Sequence, residues 1–421
     1  MFTKYIVTAV ILLLVIVTST TTLLFKRTRH FAKYFFLLSA TSIFVAAIYL
    51  YSSLKPLTFS RDYLSQNFDA EEYKIAQKAK AKGIYFGAAT DSVDIITTSS
   101  FQSTFNSLTP ENALKIGSLL TNLDKQIYDF SKADALVNQA LKQNLTVRGH
   151  PLVFGKLSDL FKSPDLDQWL EQYPEVKRQE KLQSLVDIHI QTLLEHFKGR
   201  ISEWDVVNEP LDTFRLGKFE ENIYYRYLGK SYIKNAFLLA HQTDPNVKLY
   251  LNEQLTHYSG PKAEAFYRLV ADLLKDKIPL HGVGLQHHML FEVETPENTA
   301  HYVKRLTDLG LEVKITEIDA RLRLFKKFDK PYDAQGRYYR DTLAALLPIK
   351  GFKGMTFWGV NDSRVWHDSL SYLFPLPNEP YLFDAQFKAK PGLHHIHQLL
   401  SNGNLVRSEP AYKHPTFNPP N

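Results

Sequence analysis

Trp204-Asp205-Val206-Val207-Asn208-Glu209 and Val313-Lys314-Ile315-Thr316-Glu317 are two short runs, rich in apolar and β-branched residues, that each end in a glutamate. Runs of this length and composition read as strands buried on both faces. They belong to a set of eight, at residues 83–89, 105–109, 146–154, 203–208, 248–252, 282–288, 312–318 and 354–360. Helical patterns such as 178–197, 224–241 and 261–275 lie between them. Strand alternating with helix means a parallel sheet, and eight such units predict an α/β fold, the (β/α)8 TIM barrel. An open doubly wound sheet is the rival layout. No glycine-rich phosphate loop follows the first run, so the barrel is preferred.

Polar residues gather at the ends of these runs. Glu111, Asn112 and Lys115 follow the second, His150 lies late in the third, and Asn208 and Glu209 end the fourth. Glu253 ends the fifth, Gln286 and His288 the sixth, Glu317 and Asp319 the seventh, and Trp358 lies near the end of the eighth. In a barrel all these ends meet on one rim, where active sites are built. Strands four and seven stand nearly opposite, so Glu209 and Glu317 would face each other across a sugar. Glycoside hydrolysis needs such a pair, one carboxyl to protonate the leaving oxygen and one to attack or to activate water. Ion pairing is the ordinary use of a single rim acid. Two acids, each closing a strand, point instead to chemistry.

Six motifs then carry a resemblance: Leu108-Thr109-Pro110-Glu111-Asn112-Ala113-Leu114-Lys115, Arg148-Gly149-His150, Trp204 to Glu209, Gly284-Leu285-Gln286-His287-His288, Ile315-Thr316-Glu317-Ile318-Asp319 and Phe357-Trp358-Gly359-Val360. Over roughly residues 75–400 the sequence resembles glycoside hydrolase family 10, the retaining endo-1,4-β-xylanases. The resemblance implies double displacement at the β-1,4-xylosidic bonds of xylan or a xylan-like polysaccharide. Glu209 would be the acid/base, protonated at rest, and Glu317 the ionised nucleophile, with carboxyl groups about 5–5.5 Å apart. It implies that His288 bonds the nucleophile and that Asp319 orients His288. Lys115, His150, Asn208 and Gln286 match positions that hydrogen-bond the sugar beside the scissile bond. Glu111 and Asn112 match the neighbouring sugar site, and Trp358 and Trp366 match two pocket walls. His287 should point away by strand alternation. Tyr250 and Glu253 receive no role.

The match departs at Gly149-His150-Pro151-Leu152-Val153-Phe154-Gly155. The family carries tryptophan and histidine where this chain has Phe154 and Gly155, and often tryptophan at Ile116. Phe154 is kept as a substrate-binding position, but the sugar preference stays open. Another β-1,4 glycan, such as a cell-surface exopolysaccharide, is the first alternative. A non-catalytic carbohydrate-binding barrel is the second, and it predicts loss of one glutamate, whereas both are present.

The formal charge of +6 is misleading. Residues 1–61 hold seven Lys and Arg and no acid, so the rest of the chain is nearly neutral. Those cations flank two uncharged runs, 5–25 and 34–54, each long enough as a helix to cross a bilayer. The expectation is a membrane anchor over 1–54, a linker and lead-in helix over 55–80, the hydrolase domain over 81–402 and a tail over 403–421. Lys26, Arg27, Arg29 and Lys33 between the runs place that hairpin tip in the cytoplasm and the barrel on the extracytoplasmic side. This is a membrane pattern and not a nucleic-acid footprint. The absence of cysteine excludes disulfides and thiolate chemistry. No metal or organic cofactor is implied. The expected partners are a polysaccharide and the membrane.

Overall fold

The computed structural model describes residues 59–155, 165–255, 257–366 and 378–402. The predicted spans 5–25 and 34–54 and the tail 403–421 lie outside the described residues. Among the described residues no helix is long and apolar enough to cross a membrane.

Eight strands form the centre: β1 (Tyr85–Ala89), β2 (Ser107–Thr109), β3 (Thr146–Gly149), β4 (Glu203–Asn208), β5 (Lys248–Gln254), β6 (Gly282–Met289), β7 (Glu312–Ala320) and β8 (Phe352–Phe357). Each pairs in parallel with its neighbour, and β8 returns to β1 through Tyr85↔Gly354. The β3–β4 pairing, Arg148↔Glu203 and Gly149↔Trp204, closes the ring. The fold is therefore the (β/α)8 barrel, and the open sheet is excluded.

Two expected elements divide. The run 146–154 breaks at Pro151, which has no N–H to give to a ladder. β3 stops at Gly149, the Leu152 N–H donates to the Asp205 carbonyl at 2.9 Å, and Val153–Phe154 pairs separately with β4. The helix expected over 224–241 becomes Ile223–Leu228 and Ser231–Thr243, because Gly229 between them takes a left-handed φ of 62°. The eighth strand runs over Phe352–Phe357 and not 354–360, leaving Trp358 just beyond its end.

The barrel interior is not filled by apolar side chains alone. Lys314 reaches both carboxylate oxygens of Glu203, and Arg148 bridges Glu203 and Asp205, all four buried. Burial pulls the Lys314 amine down to about 8 despite Glu203 beside it. Such a network adds little net stability, but deleting one member strands its partner's charge and is costly.

The linker expected over 55–80 is docked from residue 59 onward. Phe59 and Tyr63 pack against Leu322 and Tyr332. The Tyr63 hydroxyl donates to Asp384 at 3.3 Å and Arg61 pairs with Glu379 at 2.8 Å. The chain then forms helices Ala70–Tyr73, capped by Asp69, and Ile75–Ala81. Tyr73 stacks on His397 and Lys78 donates to Ser401, both on the last described helix, Pro391–Ser401.

Gly149 marks a tight point of the β3–β4 closure. A Cβ there would sit 2.1 Å from the ring of Trp204, which is itself buried. Overpacking of this kind costs about 1–3 kcal/mol. Gly149→Ala should therefore lower the midpoint of thermal unfolding, followed by circular dichroism, by several degrees.

Candidate active site

At the C-terminal ends of the strands lies one open pocket. It is lined by Lys115, His150, Phe154, Asn208, Glu209, Gln254, Gln286, His288, Glu317, Trp358 and Trp366. The two glutamates reach it by different backbone devices. Glu209 follows β4 in a left-handed conformation, φ 52°, with its N–H donating to the Asn252 carbonyl at 2.9 Å. A non-glycine residue in that region is strained and needs its surroundings to hold it. Glu317 lies within β7, where the register against β6 slips between Ile315 and Glu317. A bulge of this kind re-aims a side chain.

The polar contacts form one path between the two acids. Gln286 donates from Nε2 to Glu209 Oε1 and to Asn208 Oδ1, each at 3.1 Å. Asn252 donates from Nδ2 to Asn208 Oδ1 at 2.9 Å and to Glu317 Oε1 at 2.8 Å. Thr316 fixes the Asn252 amide by donating to its Oδ1 at 2.7 Å. With Oδ1 of Asn208 receiving two donors, its NH2 is left to turn toward the pocket. Gly284 makes room for this arrangement, since a Cβ there would meet Asn252 Oδ1 at 2.1 Å.

His288 stands between two carboxylates. Nε2 lies 3.1 Å from Glu317 Oε2 and Nδ1 lies 2.8 Å from Asp319 Oδ2. With carboxylates on both sides, both ring nitrogens serve as donors, which is the imidazolium form. Burial opposes that charge, but Asp319 and Glu317 outweigh it and raise the histidine to about 10. Trp366 adds an indole N–H to the same Asp319 oxygen at 2.8 Å. Asp319 itself stands behind His288 and does not line the pocket.

On the other wall, His150 Nδ1 lies 2.8 Å from Asp205 Oδ2, and Arg148 clamps Asp205 from below. Burial would raise the Asp205 carboxyl, but Arg148 and His150 hold it below the usual range. Lys115 donates to Asn112 Oδ1 at 3.1 Å, so Asn112 supports the pocket from outside its lining. Burial lowers the Lys115 amine against the pull of Glu317, Glu111 and Glu209. Glu111 also stands outside the lining, 3.7 Å from Arg364, its carboxyl raised by burial. His287 points away from the pocket, held by the hydroxyls of Tyr258 and Tyr338.

Sequence reading missed Asn252, Thr316, Asp205 and Gln254. Asn252 and Gln254 share a face of β5 with Tyr250, and only their position at a strand end signalled them. Glu253, left without a role, faces outward, accepts from the Leu211 N–H at 2.9 Å and pairs with Lys262, anchoring the segment after Glu209. The glycine at 155 leaves no hole. A Cβ there would meet Asn222 at 2.3 Å, so the Asn222 side chain fills that space. Phe154 keeps an aromatic face in the wall, with Lys115 Nζ 5.7 Å from its ring centre.

Paired glutamates, aromatic walls and side-chain amides at the mouth of a parallel barrel define a glycosidase-type site. The profile of Glycosyl hydrolase family 10 matches residues 74–399, and the chain belongs to that family. It is 32% identical over 345 residues to endo-1,4-beta-xylanase A of Humicola insolens, covering 78% of this chain and 86% of that protein. It is 30% identical over 351 residues to the beta-1,4-xylanase of Dictyoglomus thermophilum, covering 79% and 93%. Among solved structures, xylanase 10B from Thermotoga petrophila in complex with xylobiose superposes with a TM-score of 0.68 at 27% identity. That match covers 78% of this chain and 97% of the other.

The position of His288 sets a pH test. Its folded value near 10 lies above the 6.5 of an exposed histidine. The folded state holds the extra proton, so the stabilisation is complete below pH 6.5 and is lost as pH rises to 10. The difference in thermal midpoint between the wild type and His288→Gln should shrink steadily across that window.

Proposed function

We propose that this glycosidase is a retaining endo-1,4-β-xylanase, acting on xylan or a xylan-like chain, with Glu209 as acid/base and Glu317 as nucleophile. One observation carries the reading. Both carboxylates line the same pocket, and Glu317 is fixed through each of its oxygens, by Asn252 on one and His288 on the other. A carboxylate held this rigidly is suited to attack a single carbon.

In the first step Glu317 attacks the anomeric carbon while Glu209 passes its proton to the departing glycosidic oxygen. The C–O bond breaks and a glycosyl ester forms on Glu317. In the second step Glu209, now ionised, takes a proton from water, and the hydroxide displaces Glu317. Two inversions at one carbon retain its configuration. Gln286, bonded to both Glu209 and Asn208, keeps the acid beside the residue that would contact the 2-hydroxyl. Hydrogen bonds at that hydroxyl tighten in the transition state.

The proposal extends to topology. Residues 5–25 and 34–54 span a membrane, and the barrel lies on its extracytoplasmic side. This part rests on sequence, on the two apolar runs and the cations between them. A C-terminal reporter active only in the cytoplasm should stay silent.

A second reading draws on Phe154 and on the Asn222 filling beneath Gly155, which alter one wall of the sugar pocket. They favour a related β-1,4 glycan over plain xylan. Incubation with a panel of β-1,4 polysaccharides separates the two. The wild type should release oligosaccharides whose newly formed ends are initially β by NMR, and Glu317→Ala should release none. Glu209→Ala should be slowed about 10²–10⁴-fold on unactivated substrate. Products of α configuration would refute the retaining mechanism, and activity on a glucan alone would refute the xylan assignment.

A further inference from the structure

A glycan cut in mid-chain has two arms, and the departing one still lacks a binding surface. Lys115, His150 and Trp358 line the pocket from just beyond β2, β3 and β8, and Glu209 lies just beyond β4. The proton from Glu209 goes to the oxygen of the departing arm, so that arm leaves past Glu209, over the sector from β4 to β6. A polar group with no other task stands there. Gln254 lines the pocket at the end of β5, half-buried and level with Gln286 on β6. Its backbone N–H donates to the Glu253 carboxylate at 2.8 Å, but its side-chain amide bonds none of the described residues.

Beyond Gln254 the rim is made of loops tied to one another. Leu211 pairs with Phe219 in an antiparallel bridge, which closes the loop after β4 into a short hairpin. Asp212 fixes its turn by accepting from the N–H groups of Phe214 and Arg215 at 2.7 and 2.9 Å. Lys262, on the helix after β5, donates to Thr213 at 2.9 Å and to Glu253 at 2.8 Å. On the other side His257 lies 2.8 Å from Glu292, and the Tyr258 N–H donates to Glu294 at 3.0 Å. These pinned loops hold two phenyl rings out in solvent. Phe214 is 94% exposed and Phe291 79%, and no other aromatic side chain is so exposed among the described residues. Both stand near the pocket. Phe291 follows His288 by three residues and Phe214 follows Glu209 by five, so the Cα separations are at most about 11 Å and about 18 Å.

We propose that the rim from β4 to β6 binds the departing arm of the glycan, with the Gln254 amide on hydroxyls of its first sugar and the rings of Phe214 and Phe291 stacked on later ones. The inference rests on the endo-acting reading given above. Flat apolar rings suit the C–H faces of a sugar. Loops that are already pinned give up little freedom on binding. A second copy of the chain is a poorer occupant, because two phenyl rings fall well short of the roughly 800 Å² per partner that a stable protein interface buries. A glycan needs only one ring per sugar, and the patch continues the pocket that holds its other arm. The enzyme is then a cutter of long chains, since oligosaccharides too short to reach the rings forgo part of the binding.

The full-length protein is given two substrates: an aryl β-xylobioside, whose leaving group stops short of the rings, and xylohexaose with an isotopic oxygen label at its reducing end. Mass spectrometry of the labelled fragments shows which bond is cut. The double variant Phe214→Ala, Phe291→Ala loses only exposed rings, so its thermal midpoint should match the wild type. Its kcat/KM on xylohexaose, divided by that on the aryl xylobioside, should fall about tenfold. Its cuts should move toward the reducing end, because the chain is then held mainly by its other arm. Gln254→Ala should move them the same way. A ratio and a pattern that stay at the wild-type values overturn the proposal. So does a double variant that cuts as the wild type does but elutes as a smaller species in size-exclusion chromatography, which would make the rings a contact between copies. A wild type inert toward both substrates overturns the xylan reading and this inference together.

Discussion

Two carboxyl groups, both largely buried, share one pocket, and like charges in such a place repel more than they would in solvent. Glu209 is 8% exposed and Glu317 only 3%. Much of the surrounding architecture answers that constraint. Lys115 from the loop after β2 and the charged ring of His288 from β6 supply positive charge on two sides. The neutral amides of Gln286 and Asn252 supply donors without adding charge that the chemistry would have to overcome. Oriented donors of this kind need no rearrangement as charge shifts during reaction, which is the main way that enclosed sites stabilise transition states.

The ionic layer beneath the pocket extends the same logic downward. Asp205 orients His150, Arg148 holds Asp205, and Glu203 joins Arg148 to Lys314 on the far side of the barrel. An apolar filling would be as stable or more so. What the charged layer adds is direction: each member is fixed by its partners, and the chain of contacts ends on a side chain in the pocket wall.

The parts legible in sequence were those whose meaning is local. A buried strand closing on a glutamate, or Gln-x-His at the end of β6, announces itself within a few residues. The parts that were not legible depend on strand register. Asn252 matters because β5 brings it level with Asn208 and within reach of Glu317, 65 positions away. Nothing near it in sequence carries that information. The break at Pro151 was a missed local signal, since proline cannot continue a ladder. The docking of Tyr63 was beyond reach, because its partner Asp384 lies 321 residues later.

That last separation bears on how the molecule is made. Helix Ile75–Ala81 leaves the ribosome early, and one of the surfaces it leans on, besides Ser99–Thr104 and β1, is Pro391–Ser401, far along the barrel's chain. Contacts so distant along the sequence form late, after the entropy of closing a very long loop has been met. Part of that helix's seat is therefore missing through nearly the whole of synthesis. Until then the side that Pro391–Ser401 will cover stays open to whatever chaperone or neighbouring chain is at hand.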